Sequence, residues 1–379
     1  MTPRVLLVGR TRYRLPLSPS LRRKFDALSH DLDVHVLASA PADAPPRDET
    51  FTLVRPFPIR RLDGLAFWLA LPLRAARELR RLRPDVVLVQ GAHEAAAVLL
   101  ARLFARSGAR VVLDVHGDWR LATRLYGSRA RRLLNPLADR LALQAVHRAD
   151  AVRTVSAFTS DLVRDAGVEP ASTFAAFIDF EPLLDRPAQP LPMQPAALFV
   201  GVLERYKNVD VLAAAWRRAA PRVPGAELRI VGGGPRAGVV EKLLRDLPEQ
   251  TRWTRELSAE ELARELDRAT CLVLPSPREG MGRVLVEALA RGRPVVGSRA
   301  GGIVDVVSDG ENGILVEPDD VDALAEALVR LLSDRVLAER LAAAARSSVD
   351  PLVATAAEYA ARVRDLVATT ATNGHLAPH

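Results

Sequence analysis

Short apolar runs alternate with longer amphipathic stretches along the whole chain. Runs that are apolar on both faces occur at 5–8, 34–37, 86–89, 110–115 and 151–155 in the first half, and at 197–202, 227–231, 270–274, 294–298 and 313–316 in the second. Amphipathic stretches such as 73–82 and 94–106 lie between them and predict helices. Strands that are apolar on both faces and separated by helices are typical of a parallel sheet covered on both sides.

A proline-rich stretch divides this repeating pattern into halves. Residues 181–195 contain Pro182, Pro187, Pro190, Pro192 and Pro195, and such a density disfavours helix and sheet interiors, so we interpret the stretch as a linker. We therefore expect an α/β fold of two Rossmann-like, doubly wound domains facing a central cleft.

The domain boundaries follow from this division. The first domain is expected at 1–185 and the second at 196–350, with ligands bound outside the carboxyl ends of the strands. We expect residues 351–368 to form a C-terminal helix that packs back on the first domain, and residues 369–379 to form a flexible tail.

Length and composition are those of a globular protein with two cores. The 379 residues exceed one ordinary core, and no apolar run approaches the roughly 20 residues that a membrane span needs. The N-terminal residues run straight into a predicted strand without a signal-peptide pattern, so a cytoplasmic protein is expected. The single cysteine, Cys271, excludes a disulfide framework or a thiolate metal cluster and is interpreted as a buried apolar residue.

Charge is divided unequally between the halves. The net charge is +7, with +9 in residues 1–190 and −2 in the remainder. This asymmetry indicates an anionic acceptor or anionic lipid, or simply an arginine-rich surface. Nucleic acid is the weakest option because no known reader motif accompanies the arginines.

The segment 59–74 contains a run of large apolar residues with arginines on both sides. Arg60 and Arg61 precede the apolar run 65–71, and Arg74 follows it. The segment predicts either peripheral docking on anionic lipid or a buried helix, and the sequence favours the buried helix.

The densest chemical signal begins at the end of the predicted strand 270–274. Gly280 and Gly282 let the backbone approach a ligand closely, and the helix that follows presents free N–H groups suited to a phosphate. Glu279 in the loop and Glu287 on the helix can face different parts of one bound molecule, and carboxylates are good acceptors for sugar hydroxyls.

This stretch resembles glycosyltransferase family 4, a group of retaining enzymes with the GT-B fold. The family hallmark is two glutamates separated by seven residues, which Glu279 and Glu287 match. The match continues through Glu287-Ala288, Gly292-x-Pro294, Gly301-Gly302 and Asp305.

The resemblance implies roles for individual residues. Glu287 would hold the ribose hydroxyls, Glu279 the hydroxyls of the transferred sugar, and Lys207 the leaving diphosphate. Because Val202 stands where the family often has an arginine, Arg205 is the candidate for the second positive charge. The remaining donor-binding candidates are Gly201, Gly280, Met281, Gly282, Arg283 and Val284.

The first half resembles the family more loosely. His116, at the end of the predicted strand 110–115, matches the family histidine beside the donor sugar, and Asp118 is a candidate to contact the acceptor or orient His116. The loop after the first strand carries Arg10, Arg12 and Arg14 where the family often has a Gly-Gly turn, which indicates an anionic acceptor.

The resemblance thus implies a metal-independent hexosyltransferase that retains configuration by front-face substitution and needs no cofactor. Its co-substrate is a nucleotide sugar, with a UDP-sugar favoured and a GDP-sugar second. The acceptor is a small molecule, a glycan or a lipid-linked molecule, and the sequence leaves it and the oligomeric state undetermined. A nucleotide-sugar epimerase of the same fold and a non-catalytic scaffold or binding protein stay open as alternatives.

Overall fold

The computed structural model describes residues 2–41, 48–59, 63–120 and 135–372. The contacts divide the chain into two compact units. The first unit is Met1–Phe177 together with Ala356–His379, and the second is Ile178–Thr355. Two Rossmann-like parallel sheets are thereby confirmed, one in each unit.

The first unit alternates strands and helices as the sequence predicts. Its described elements are β1 (Arg4–Arg12), α1 (Pro19–Asp31), β2 (Asp33–Ser39), β3 (Phe51–Val54), α2 (Asp63–Leu82), β4 (Val86–Gln90), α3 (Ala92–Ala105), β5 (Arg110–Val115), α4 (Asn135–Arg148), β6 (Ala151–Thr154), α5 (Ala157–Asp165) and β7 (Ser172–Thr173). Within the described residues, the strands form one parallel sheet in the order β3-β2-β1-β4-β5-β6-β7.

The second unit repeats the arrangement. Its elements are α6 (Glu181–Leu184), β8 (Ala196–Val200), α7 (Val209–Ala219), β9 (Glu227–Val231), α8 (Ala237–Asp246), β10 (Thr251–Thr254), α9 (Ala259–Asp267), β11 (Cys271–Leu274), α10 (Arg283–Ala290), β12 (Val295–Ser298), β13 (Gly313–Val316), α11 (Val321–Ser333) and α12 (Arg335–Ser348). Its parallel sheet has the order β10-β9-β8-β11-β12-β13.

Continuous burial of the central strands explains why they read as unbroken apolar runs. Val86, Val87 and Val89 of β4 are fully buried, as is the whole of β11 including Cys271. Helices cover both faces of such a strand, so neither face needs polar side chains. The three strands that the sequence pattern missed, β3, β7 and β10, are short and lie at or beside the sheet edges.

The chain returns to the first unit at its C-terminal end. Helix α13 (Ala356–Thr372) buries Ala360, Val363, Leu366 and Val367 in the core that also contains Val5 and Phe25. It packs beside α1. Residues 369–372 belong to this helix and not to the flexible tail predicted at 369–379, and residues 373–379 lie outside the described part of the chain.

The proline-rich stretch is attached to the second unit by two buried arginines. Arg291 donates to the carbonyls of Leu183 and Arg186 at 2.7 and 2.6 Å. The Arg293 guanidinium donates to the Gln189 carbonyl. Proline has no backbone N–H group to donate. In this stretch the two arginine side chains donate hydrogen bonds to the backbone carbonyls.

Helix α2 begins at Asp63, ten residues before the predicted start of the helix at 73. It therefore takes in most of the apolar segment 59–74, of which residues 60–62 are outside the described part. One face of α2 is buried through Phe67 and Leu71, while Leu69 and Leu73 are exposed. No helix of the described chain combines the length and hydropathy that a bilayer span requires.

Candidate functional site

The candidate donor site lies where the direction of the second sheet reverses. β8 and β11 are neighbours, and the chain runs from β8 to β9 on one side and from β11 to β12 on the other. This is a topological switch point, where the loops after the two strands separate and leave a crevice for a ligand. The loops are 201–208 after β8 and 275–282 after β11.

An ion pair joins these two loops. The Lys207 Nζ donates to Glu279 Oε1 at 2.5 Å, and both side chains are largely buried. Gly201 lies directly below the lysine, since a Cβ on Gly201 would be 3.6 Å from Lys207 Cε. The structure therefore brings together three of the sequence-predicted residues that are up to 78 positions apart in the chain.

Neighbouring groups fix the position of the lysine. Its Nζ lies 5.2 Å from the centre of the Tyr206 ring. Burial, with smaller contributions from Glu279 and Glu204, raises the pKa of Tyr206 to about 12. Asn208 follows in the left-handed conformation, and its amide donates to the Pro275 carbonyl at 3.2 Å and to Asp319 at 2.8 Å. The bond to Pro275 holds the β8 loop against the β11 loop, and the bond to Asp319 holds it against the segment that follows β13.

Two glycine pairs allow backbone segments to approach these loops. A Cβ on Gly302 would lie 2.1 Å from the Gly280 carbonyl oxygen, and one on Gly232 would lie 1.9 Å from that of Gly201. Gly302 N–H donates to the Glu279 carbonyl at 2.8 Å. The Gly301-Gly302 and Gly232–Gly234 motifs thus pack against the backbone of the donor loops. The spacing of these glycines in the sequence does not by itself reveal this packing role.

Helix α10 begins at the second switch-point loop. Gly282 has φ 71° and precedes the helix, and Arg283 and Val284 form its first turn. The first N–H groups of a helix lack intrahelical partners, and its dipole is positive at this end, so an anion is favoured here. Met281 is buried beneath the turn.

Glu287 lies one turn further along α10 and is half-buried. Burial raises the pKa of its carboxyl, and the nearby Arg283 guanidinium offsets part of that shift. The described residues provide no hydrogen-bond donor to its side chain. A carboxylate in this setting gains from a ligand that brings hydroxyl donors.

Arg205 is exposed at the start of the short turn Arg205–Lys207. It has no carboxylate partner among the described residues. The structure thus places Arg205 two residues from Lys207 and leaves its guanidinium accessible.

In the first unit, His116 is held by a carboxylate that the sequence analysis missed. His116 Nε2 lies 2.8 Å from Asp114 Oδ2, and the other oxygen of Asp114 accepts from Arg153 at 2.5 Å. Burial opposes ionisation of Asp114, but His116 and Arg153 together hold its pKa below the ordinary range. Arg153 is itself buried, donates to the carbonyls of Phe174 and Ala175, and lies 4.0 Å from the Phe174 ring centre.

The Asp114–His116 pair had a signal in the sequence. Asp114 lies near the end of β5 and His116 directly follows the strand, so the two polar residues, two positions apart in extended chain, have side chains on the same side. The second partner, Arg153, lies on the adjacent strand β6 and could not be located without the strand order. Asp118 accepts from the Arg120 backbone at 2.9 Å and side chain at 3.2 Å, and within the described residues it forms no hydrogen bond with His116.

β1 is longer than predicted, so Arg10 and Arg12 belong to its carboxyl end and only Arg14 follows the strand. They lie at the switch point of the first sheet, where β1 and β4 are neighbours. Arg10 and Arg12 both approach Asp63 Oδ2 at 3.4 Å, and each remains about half exposed. Arg14 is exposed. Nearby, burial raises the pKa of the Glu94 carboxyl, and the positive charge of Arg10 offsets part of that shift. Within the described residues, no three His, Cys, Asp or Glu side chains group together as metal ligands.

Two family models match the chain. "Glycosyl transferases group 1" matches residues 184–348, and "Glycosyltransferase Family 4" matches residues 20–179. The matched ranges together cover most of the chain and correspond to the second and first units.

Two curated relatives each match less than half of the chain. The "Sulfoquinovosyl transferase SQD2" of Arabidopsis thaliana is 32% identical over 162 residues, which is 42% of this chain and 31% of that protein. The "GDP-mannose-dependent alpha-(1-6)-phosphatidylinositol monomannoside mannosyltransferase" of Mycolicibacterium smegmatis is 35% identical over 162 residues, covering 40% of this chain and 42% of that protein. The matched segments thus span less than half the length of these relatives.

Solved structures resemble the chain over nearly its whole length. A sucrose-phosphate synthase from Thermosynechococcus elongatus has a TM-score of 0.76 at 20% identity, covering 97% of this chain and 100% of that one. HepE of Anabaena, in complex with UDP and glucose, has a TM-score of 0.69 at 16% identity, covering 97% and 99%. At these identities the likeness shows the fold, which is GT-B. With both units matched by family models, the chain belongs to the glycosyltransferases of group 1 and family 4.

Proposed function

We propose that the chain transfers a hexose-type sugar from a nucleotide diphosphate sugar to an acceptor with retention of configuration. The observation that carries the proposal is the Lys207–Glu279 pair at 2.5 Å, at a switch point and beside the N-terminus of α10. A cation, a carboxylate and free backbone N–H groups at one place fit a phosphorylated sugar.

In this proposal Lys207 changes partner when the donor binds. Without donor it neutralises Glu279. A bound diphosphate would attract the lysine, with the exposed Arg205 and the first turn of α10 adding positive potential. Glu279 would then accept hydrogen bonds from the sugar hydroxyls, and Glu287 from the ribose hydroxyls. The lack of a donor to Glu287 among the described residues supports that assignment.

The proposed reaction is a front-face substitution. The acceptor oxygen forms a bond to the anomeric carbon on the face from which the diphosphate oxygen departs, and the acceptor proton passes to the departing phosphate. Lys207, Arg205 and the α10 N-terminus stabilise the charge that grows on the diphosphate. We propose that they do so without a metal ion, which product anomer analysis by NMR and turnover in excess EDTA would test.

The first unit is proposed to bind the acceptor, with His116 as a catalytic residue. The hydrogen bond with Asp114, which is itself fixed by Arg153, supports a positioned imidazole. Arg10, Arg12 and Arg14 support an anionic acceptor, with Asp118 a further contact. The relative whose name includes a phosphatidylinositol mannoside is consistent with a lipid-linked acceptor. A cytoplasmic site of action belongs to this proposal.

A UDP-sugar is the favoured donor and a GDP-sugar the second. A structural neighbour is described with UDP and glucose, and a curated relative is named as GDP-mannose-dependent. No resident cofactor is proposed.

A thermal-shift panel of UDP-, GDP- and ADP-sugars without metal tests the donor site. We expect one nucleotide sugar to raise the melting temperature of the intact protein, because a ligand that binds only the folded state stabilises it. Glu287→Ala should lose that shift, and Glu241→Ala, an exposed glutamate on α8, should keep it. Turnover assays with the same donor then separate transfer from epimerisation or binding alone. If no donor shifts the intact protein, the proposal fails.

A further inference from the structure

An exposed apolar surface lies on two neighbouring helices of the first unit. Leu65, Leu69 and Leu73 follow one another at four-residue spacing on the outer face of α2. Leu100, Leu103 and Phe104 form the corresponding face of α3. Leu73 and Leu103 are 72% and 71% exposed, so both of these packed helices present large apolar side chains to solvent.

The two rows of apolar side chains meet in one groove. Leu73 of α2 and Phe104 of α3 line a depression of about 500 Å³ together with Arg77 and Arg80. Arg80 donates to the Phe104 carbonyl at 2.5 Å and so fixes the two helix faces to one another. We use the term apolar surface for this groove together with the six exposed apolar residues Leu65, Leu69, Leu73, Leu100, Leu103 and Phe104.

A basic groove continues from the apolar surface. Arg80 also lines a second depression, of about 670 Å³, at the amino ends of β4 and β5. Its other cations are Arg83, Arg106 and Arg110, of which Arg110 is paired with Asp150 at 2.9 Å. Asp85 is the one carboxylate among the described lining residues, and it accepts from the Arg4 backbone at 2.8 Å.

The cations around these grooves outnumber the available carboxylates. Arg74, Arg77, Arg83 and Arg106 are exposed and have no carboxylate partner among the described residues. Glu78, the nearest acid on α2, is buried and pairs with Arg81. Charge of one sign beside exposed leucines is the arrangement of a helix that lies on an anionic bilayer.

We propose that the apolar surface and the basic groove together form a docking site for an anionic lipid bilayer. Leu69, Leu73 and Phe104 enter the boundary between headgroups and acyl chains, while Arg77, Arg83 and Arg106 contact lipid phosphates. Neither set is sufficient alone, because the apolar contribution holds the protein at the surface and the charges select anionic lipid. The inference is independent of sugar transfer.

Vesicle co-sedimentation of the full chain tests this docking site. We expect the protein to sediment with vesicles of equal parts phosphatidylglycerol and phosphatidylcholine, and much less with phosphatidylcholine alone. Raising the salt to about 1 M should release part of it, since the Debye length falls to about 3 Å.

Two double variants separate the contributions. Leu69→Ser with Leu73→Ser, and Arg77→Glu with Arg106→Glu, should each lower the vesicle partition coefficient by about tenfold or more. The matched controls are double variants at exposed residues of the second unit: Met193→Ser with Val336→Ser for the apolar set, and Arg245→Glu with Arg264→Glu, which changes the net charge equally, for the charged set. Both controls should sediment like the unchanged protein.

Three results would overturn the proposal. One is that the intact protein does not sediment with anionic vesicles. Another is that the surface variants and the controls sediment alike. The third is a dimer in solution that Leu69→Ser with Leu73→Ser converts to a monomer, because the apolar surface would then be covered by a second copy. None of these readouts uses turnover, so they leave the proposed transfer reaction untouched.

Discussion

At the scale of single residues, the candidate site depends on charges that are held in place by other charges. Lys207 and Glu279 neutralise one another in the second unit, and Asp114 links His116 to Arg153 in the first. Both groups are largely removed from water, where an unpaired charge is costly. Replacing one partner should therefore affect stability as well as chemistry, and the two effects need separate measurements.

Lys207→Ala should reduce kcat by about 10²- to 10³-fold, as expected when one group that stabilises transition-state charge is lost. Lys207→Arg, which keeps the charge, should retain more activity. Steady-state kinetics with the donor found by thermal shift provides the measurement, and urea unfolding of each variant checks that the fold persists. If kcat is unchanged in folded Lys207→Ala, the lysine has no part in catalysis.

Asp114→Asn should destabilise the protein at pH 7 by about 3 kcal/mol, because it leaves Arg153 buried without its counter-charge. The folded-state pKa of Asp114 lies below its unfolded value. Its stabilising contribution is therefore complete above the unfolded pKa of about 4 and is lost as the pH falls below it. The difference between intact and variant proteins should shrink over that range.

Urea titrations at several pH values between neutral and acid measure this difference. Asp26→Asn, an exposed aspartate on α1, is the matched control and should show little effect at any pH. A penalty for Asp114→Asn that stays constant with pH would contradict the charge argument.

At the scale of elements, close backbone approach positions the loops of the donor site. Gly302→Ala should displace the Glu279–Gly280 segment, because its Cβ would lie 2.1 Å from a backbone oxygen that has no side-chain freedom to move. We expect a loss of about 2 kcal/mol in unfolding free energy, together with weaker donor binding. Calorimetric titration with donor and chemical unfolding measure the two effects.

The matched control for this substitution is Gly238→Ala on α8. No atom lies within 4 Å of its added Cβ, so alanine should stabilise the helix by about 0.5–1 kcal/mol. If the two variants have the same unfolding free energy and donor affinity, the close approach of Gly302 to the Gly280 carbonyl is not what requires glycine at position 302.

At the scale of the whole molecule, each unit has its own core and the C-terminal helix belongs to the first. Val367→Ala on α13 removes fully buried methyl groups and should cost about 2 kcal/mol. Hydrogen exchange should show the loss of protection in α1 and the first sheet, while the second unit keeps its protection. Val336→Ala, at a 77% exposed position of α12, should change little. Equal loss of protection in both units would contradict the division into two cores.

Features that depend on the local pattern of residues could be predicted from the amino-acid sequence alone. Unbroken apolar runs between amphipathic stretches identified the buried central strands, and the glycine and glutamate spacing over 279–305 identified the family. The edge strands β3 and β10 escaped because a strand with one neighbour and partial burial needs no continuous apolar run. The sequence predicted the start of α2 at 73 because Pro72 disfavours a helix interior. The helix nevertheless continues through Pro72 and begins at Asp63.

Contacts between residues that are distant along the chain became apparent only in the folded protein. Lys207 reaches Glu279 because β8 and β11 are adjacent, and Arg153 reaches Asp114 because β6 lies beside β5. Strand order is set by packing of the whole sheet, so spacing along the chain carries no information about these pairs. For the same reason, the exposed leucines of α2 and α3 look like core residues in the sequence. Their exposure follows from the absence, within the described chain, of any element that covers that face.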